Sequence, residues 1–157
     1  MEFEWLKYDT DKIKGHGYQD IYTKYLDRNK KVIVELGSRN GSANLWCDYF
    51  QDGKIYGCDL IEFNIFNDRF EFVKLDMNNP KDYNKLPDNI DVVIEDGPHT
   101  TKSQMIFLNS ILPKMNKGGV IIFDEYGIPP WEGESKAVDE FLSKNKIPYN
   151  NFKINKD

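Results

Sequence analysis

The order of apolar runs predicts an α/β fold: a doubly wound, mostly parallel sheet with helices on both faces. Two observations carry this expectation. Strand-like runs at 32–36, 54–59, 70–75, 91–95 and 119–124 alternate with helix-like stretches, which implies right-handed crossovers and parallel neighbours. The runs also close on acids, at Glu35, Asp59, Asp76, Asp96 and Asp124. In an open parallel sheet ligands bind in the crevice outside the carboxyl ends of the strands, so acids scattered through the sequence would converge on one ligand-binding edge.

A polar, aromatic-bearing lead covers residues 1–30, and Ile21, Tyr22, Tyr25 and Leu26 fall at helical spacing within 20–29, as a lid or first helix. The first strand is apolar apart from Glu35. It runs through Gly37-Ser38-Arg39-Asn40-Gly41-Ser42 into a helix whose buried face is Ala43, Leu45, Trp46 and Phe50. Asp52-Gly53 turns the chain into the second strand, and Asn78-Asn79-Pro80 breaks it after the third. A helix over 101–113 carries Met105, Ile106, Leu108 and Leu112, and the Lys117-Gly118-Gly119 turn precedes the fifth strand. Beyond Pro129-Pro130, residues 134–144 place Ala137, Val138, Phe141 and Leu142 on one face of a last helix. Residues 152–155 read as a sixth strand or as a frayed tail, so the C-terminal end of the sheet is expected to be short. The whole is expected to be a single domain over 1–157, with 1–30 as lead and 31–157 as sheet core.

Composition narrows the partners. A net charge of −5 without a basic cluster argues against nucleic acid and anionic lipid, and favours a small molecule. Cys47 and Cys58 lie in no metal-ligand spacing and read as buried thiols of a reducing compartment. No secretory leader and no membrane span is expected, which points to a soluble, cytoplasmic protein.

The first turn carries the nucleotide signal. Gly37 and Gly41 bracket it, and the helix starting near Ser42 aims free N–H groups at the same place. A tight strand-to-helix turn explains the glycine pair equally well. Asp59 lies 18 residues after Gly41, at the end of the next strand, where a carboxylate accepts hydrogen bonds from ribose hydroxyls. The dinucleotide fingerprint is absent, since Arg39 and Ser42 stand at its second and third glycines. Glu35 would repel phosphate and favour a cationic ligand, so S-adenosylmethionine fits better than a nicotinamide dinucleotide.

The fourth and fifth strands end in Asp96-Gly97-Pro98-His99 and Asp124-Glu125. Three carboxylates converging there, with no thiol or His pair beside them, suit a hard divalent cation, Mg2+ before Zn2+. Such an ion would acidify a bound hydroxyl, and His99 is placed to take the proton, an ordinary imidazole titrating at about pH 6.5. The structural alternative makes Asp96 and Asp124 caps of the following loops. His16, between two glycines, is either a flexible-loop residue or a substrate contact, and Trp131 either a platform for a sugar ring or a core anchor.

These motifs resemble the class I S-adenosylmethionine-dependent methyltransferases, through VIVELGSRNGSANLW, IYGCDL and FVKLDM across most of residues 32–126. The resemblance implies a Rossmann-like methyltransferase fold. It places Asp59 at the ribose and Asp76 with Met77 at the adenine, and Glu35, Gly37, Ser38, Gly41, Leu60 and Glu95 complete the expected cofactor site. DVVIEDGPHT, GGVIIFDEYG and the lead TDKIKGHGYQDIYTKYL narrow it to the metal-dependent macrocin and mycinamicin type of sugar O-methyltransferases and the cephalosporin hydroxylase-like family. That likeness implies Asp96, Asp124 and Glu125 as metal ligands, His99 as the base beside catalytic Asp96, and Tyr18 and Lys12 as lid residues over the cofactor. Pro98 departs from the Ser of that motif, and Glu125 from a commoner Asp. The expected activity is methyl transfer from S-adenosylmethionine to a hydroxyl of a sugar or glycosylated small molecule. The competing readings are a catalytically silent methyltransferase-like binding protein and a nicotinamide-dependent oxidoreductase. The acceptor and the oligomeric state, a homodimer included, stay open.

Overall fold

The computed structural model describes residues 3–130 and 132–148. Five strands, β1 (Val32–Leu36), β2 (Lys54–Asp59), β3 (Phe70–Lys74), β4 (Ile90–Glu95) and β5 (Met115–Phe123), form one sheet in the order β3-β2-β1-β4-β5. All four neighbouring pairs are parallel. The winding reverses between β1 and β4, so a crevice opens beyond their carboxyl ends.

Alternation along β1 sorts the core into two layers. Ile33 joins Trp46, Phe50, Ile55 and Val92 on one face, where α3 (Asn40–Tyr49) packs. Val34 and Leu36 join Val73, Val93, Phe107, Leu108 and Val138 on the other, under α4 (Thr101–Ile111) and α5 (Glu132–Lys144). Cys47 and Cys58 are free and buried, and burial pushes both thiols up, Cys47 to about 11.

The lead differs from the single helix expected over 20–29. It folds as two short helices, α1 (Asp11–Lys14) and α2 (Gln19–Tyr25), whose residues Ile13 and Tyr22 are buried in the α3 core together with Tyr8 and Leu26. Gly41 explains how it can lie so close: a Cβ there would sit 1.8 Å from the Asp9 carbonyl oxygen. The aromatic residues of the lead bury enough surface to hold it as a wall against α3.

Two further boundaries shift for local reasons. The helix expected over 101–113 ends at Ile111, because Pro113 has no N–H to continue it and Leu112–Lys114 tighten into a 3-10 turn. The fifth strand starts at Met115, ahead of the expected turn at 117–119. Gly118 adopts φ +76° inside it, and the β4/β5 register shifts between Ile90 and Val92, so the three residues form a bulge within the edge strand. The expected sixth strand over 152–155 lies outside the described residues. Among the described residues no helix is long and apolar enough to cross a membrane.

Candidate active site

The strand order sets the carboxyl ends of β1, β4 and β5 side by side. Backbone pairing continues one residue beyond the strands: Asp96 N–H donates to Leu36 O at 3.1 Å, and Asp124 N–H to Glu95 O at 2.9 Å. Glu35, Asp96 and Asp124 thereby meet around the ammonium of Lys12, which α1 delivers from the lead. Lys12 Nζ donates to Asp96 Oδ2 in a short contact and to Asp124 Oδ2 at 3.1 Å, and lies 3.9 Å from Glu35 Oε1. Lys12 is only 1% exposed, Glu35 0% and Asp124 3%, so one buried cation answers three acids.

That deficit appears in the titration of the groups. Burial alone would lower the Lys12 ammonium, but Glu35, Asp124 and Asp96 hold it well above its ordinary range. Burial pushes Glu35 and Asp96 upward, and Lys12 offsets this only in part. The turn residues explain how Glu35 is tolerated. Ser38 and Ser42 hydroxyls both donate to its Oε2, at 2.6 and 2.8 Å, while Oε1 is buried without a hydrogen bond and faces Lys12. Two serines at positions three and seven after a strand-end Glu are thus its local support. Gly37 adopts φ +76°, and a Cβ there would meet the Asp96 carbonyl oxygen at 1.9 Å, so the turn can cross the end of β4 only as glycine.

A cleft of about 400 Å3 opens at this point, lined by Asp9, Asp11, Lys12, Gly37, Arg39, Ser42 and Asp96, among others. Toward β2 lies Asp59, whose Oδ1 accepts from Ile61 N–H at 2.8 Å and pairs with Arg39 at 3.2 Å. Leu60 beside it is 58% exposed. Asp76 follows β3 and accepts from Asn78 N–H at 2.8 Å, and buried Met77 packs where a Cβ on Gly97 would strike its sulfur at 2.1 Å. Glu95, wholly buried, accepts from Gly97 N–H at 2.9 Å and shapes the β4 turn.

On the β5 side the histidines gather around Glu125. His99 Nε2 lies 3.5 Å from Glu125 Oε2 and 3.8 Å from Asp96 Oδ1, and His16 Nε2 lies 3.6 Å from Glu125 Oε1. His16 stacks on Tyr18 at 5.0 Å, and Tyr18 hydrogen-bonds to Asp124 while burial raises its phenol. The structure therefore brings together Glu35, Asp96, Asp124, His99 and Tyr18, sets His16 beside them, and places Glu125 against the histidines instead of Lys12. Trp131 lies outside the described residues. The central place of Lys12 has a faint sequence signal: it stands directly before buried Ile13, on a one-turn helix.

Among the described residues, no group of three His, Cys, Asp or Glu is arranged to hold a metal ion. Asp96 and Asp124 nonetheless offer the oxygen donors that a hard divalent cation takes, and Lys12 already holds a cation between them. The donor set fits such an ion in kind. For a cationic cofactor the fitting feature is Glu35, buried with an oxygen that no hydrogen bond satisfies.

A doubly wound parallel sheet with a crevice at its switch point is a layout on which α/β proteins commonly hold nucleotide-type ligands. A family described as methyltransferase domain matches residues 34–126, and the chain belongs to it. Among curated proteins it is 27% identical over 150 residues to the 8-demethyl-8-alpha-L-rhamnosyl tetracenomycin-C 2'-O-methyltransferase of Streptomyces olivaceus, covering 86% of this chain and 40% of that one. It is 24% identical over 142 residues to the mycinamicin VI 2''-O-methyltransferase of Micromonospora griseorubida, covering 78% and 36%. The chain thus spans about two fifths of the length of these relatives. Among solved structures, the MycE methyltransferase of the mycinamycin biosynthetic pathway, in complex with Mg and SAH, matches with TM-score 0.74 at 20% identity over 90% of this chain and 46% of that one. The TDP-rhamnose 3'-O-methyltransferase of calicheamicin biosynthesis matches with TM-score 0.61 at 19% identity, over 91% and 76%. At these identities the structural matches establish the fold.

Proposed function

We propose that the chain transfers a methyl group from S-adenosylmethionine to a hydroxyl of a sugar or glycosylated small molecule, assisted by Mg2+. The observation that carries this reading is the meeting of Glu35, Asp96 and Asp124 at one sheet edge, with His99 Nε2 3.8 Å from Asp96. The curated relatives, named for methylating rhamnosyl and macrolide sugars, support the acceptor class.

Asp59 at the end of β2 and the N-terminus of α3 would hold the cofactor's ribose and amino-acid ends, with Gly37 keeping the floor open and Glu35 favouring its positive charge. Asp76, Met77 and Leu60 would border the base, Tyr18 would close the lead over the site, and Glu95 and Gly41 would hold the walls in place. When bound, the cofactor supplies a methyl group on a cationic sulfur. Asp96 and Asp124, with Glu125 beside them, would hold Mg2+, which lowers the pKa of a hydroxyl. His99 would take the hydroxyl proton on Nε2, where Asp96 and Glu125 within 4 Å stabilise the imidazolium formed. Tyr18 and His16, stacked over the β5 end, would exclude water from the same space.

The test is a methyl-transfer assay with a panel of rhamnosyl and other deoxysugar acceptors, with and without chelator. Mass gain of one methyl on a sugar hydroxyl, lost in Asp96→Asn, is the expected result. Turnover indifferent to both chelator and Asp96→Asn would remove the mechanism.

A further inference from the structure

Three carboxylates and one ammonium cannot be the final charge balance of a cation-binding edge. Lys12 Nζ bonds at once to Asp96 Oδ2 and Asp124 Oδ2, and is itself 1% exposed. A divalent ion taken up by those same oxygens would need the space that the ammonium fills. The two cations are therefore alternatives at one position. Removing Lys12 without replacement would leave buried acids uncompensated, which is strongly unfavourable, so the ammonium leaves only when another cation arrives.

We propose that Lys12 is the resident cation of this edge, and that a divalent ion binds by exchange with its ammonium, so that Lys12 sets how tightly the chain holds the ion. The exchange needs only a side-chain swing. The lysine stem has four rotatable carbons, and the cleft beside it is lined by Asp9 and Asp11, whose carboxylates can receive the ammonium outside. Asp9, whose Oδ1 already pairs with Lys14 Nζ at 3.0 Å, is 96% exposed, so sharing it with a second ammonium costs little desolvation. The backbone of α1 stays anchored by buried Ile13 and by the approach of Asp9 to Gly41. Glu35 is the residue that makes exchange favourable. Its Oε1 lies 3.9 Å from Nζ without a hydrogen bond, so an ion of charge two answers a carboxylate that one ammonium leaves short. The inference rests on the metal part of the proposed function, and it adds a residue outside the expected ligand set.

Two measurements test it on the full chain. Mn2+ binding is followed by calorimetry for the wild type, Lys12→Met and Lys12→Met/Asp124→Asn. Lys12→Met is expected to bind at least tenfold more tightly than the wild type, and the double variant to lose that gain. Because Lys12→Met can fail to fold, labelling of the wild type with an amine-acylating reagent is read by peptide mass spectrometry. Lys12 is expected to be protected without Mn2+ and to label in proportion to site occupancy. Lys7 and Lys14, with side chains about half exposed, serve as indifferent references. Lys12 protected at saturating Mn2+, or equal Mn2+ affinity in the wild type and Lys12→Met, overturns the proposal. A parallel titration with S-adenosylhomocysteine separates the two ideas. Cofactor heat without Mn2+ exchange sinks only the role of Lys12, and Mn2+ exchange without cofactor heat sinks only methyl transfer.

Discussion

The two ends of the sheet treat their acids in opposite ways. At the end where the strands begin, Asp91 accepts from Lys31 N–H at 2.9 Å, Val32 N–H at 3.1 Å and the Asn116 amide at 2.8 Å. Burial works against its ion, but these donors outweigh burial and hold the carboxyl below the usual range. Arg69 at the same end donates to the carbonyls of Phe50 and Gly53, at 2.6 and 2.9 Å. At the end where the strands finish, burial pushes Glu35 and Asp96 up, and the one ammonium that three acids share offsets it only in part. One end uses its polar groups to close the fold; at the other, Glu35, Asp96 and Asp124 share the ammonium of Lys12.

The sharpest way to break this contrast is Asp96→Asn. Turnover should fall by about 10²–10⁴-fold, as when a proton-handling group is lost, while the unfolding midpoint stays at or above that of the wild type. A lowered midpoint in thermal melts would mean that Asp96 is structural after all. Gly37→Ala should come next. The added Cβ meets the Asp96 carbonyl oxygen and φ is +76°, so unfolding free energy should drop by roughly 2–4 kcal/mol in urea titrations. Asp91→Ala should cost about 1–3 kcal/mol by stranding its donors, with cofactor binding unchanged in calorimetry.

The pH dependence sharpens the same comparison. The Asp91 carboxyl is lowered in the fold, so its contribution is present above its ordinary value of 3.8 and is lost as pH falls below it. Asp96 is raised, so its contribution has the opposite sign: it is present below 3.8 and is lost as pH rises through the higher folded value. Urea midpoints measured from pH 3 to 7 should therefore rise less steeply with pH for Asp91→Ala than for the wild type, and more steeply for Asp96→Asn. Smallest of all is Arg39→Ala. Arg39 is 60% exposed in its pair with Asp59, so stability should change by no more than about 0.5–1 kcal/mol in the same titration.

The sheet and its acidic edge were readable because strand alternation and strand-end acids are local patterns that topology assembles in one way. Glu35, Asp96 and Asp124 meet for that reason. The lead was harder to read, since Tyr8, Ile13 and Tyr22 bury themselves through contacts with α3, which sequence spacing does not encode. Lys12 is the clearest instance: a lysine ordinarily signals surface, and only its three distant partners make burial tolerable. The bulge at Gly118 stayed hidden because a Gly-Gly pair after a helix usually reads as a turn. Ser38 and Ser42, which loosen the glycine pattern of the first turn, become intelligible once both are seen to hold Glu35.

If the edge where the strands finish takes S-adenosylmethionine, as proposed, the demethylated product should bind there too. Calorimetric titration of S-adenosylhomocysteine into the wild type and Asp59→Ala tests it most directly. Binding near micromolar, about −8 kcal/mol, that weakens at least tenfold in Asp59→Ala is the predicted result. No heat from the wild type at millimolar ligand would contradict the claim and leave the fold without this function.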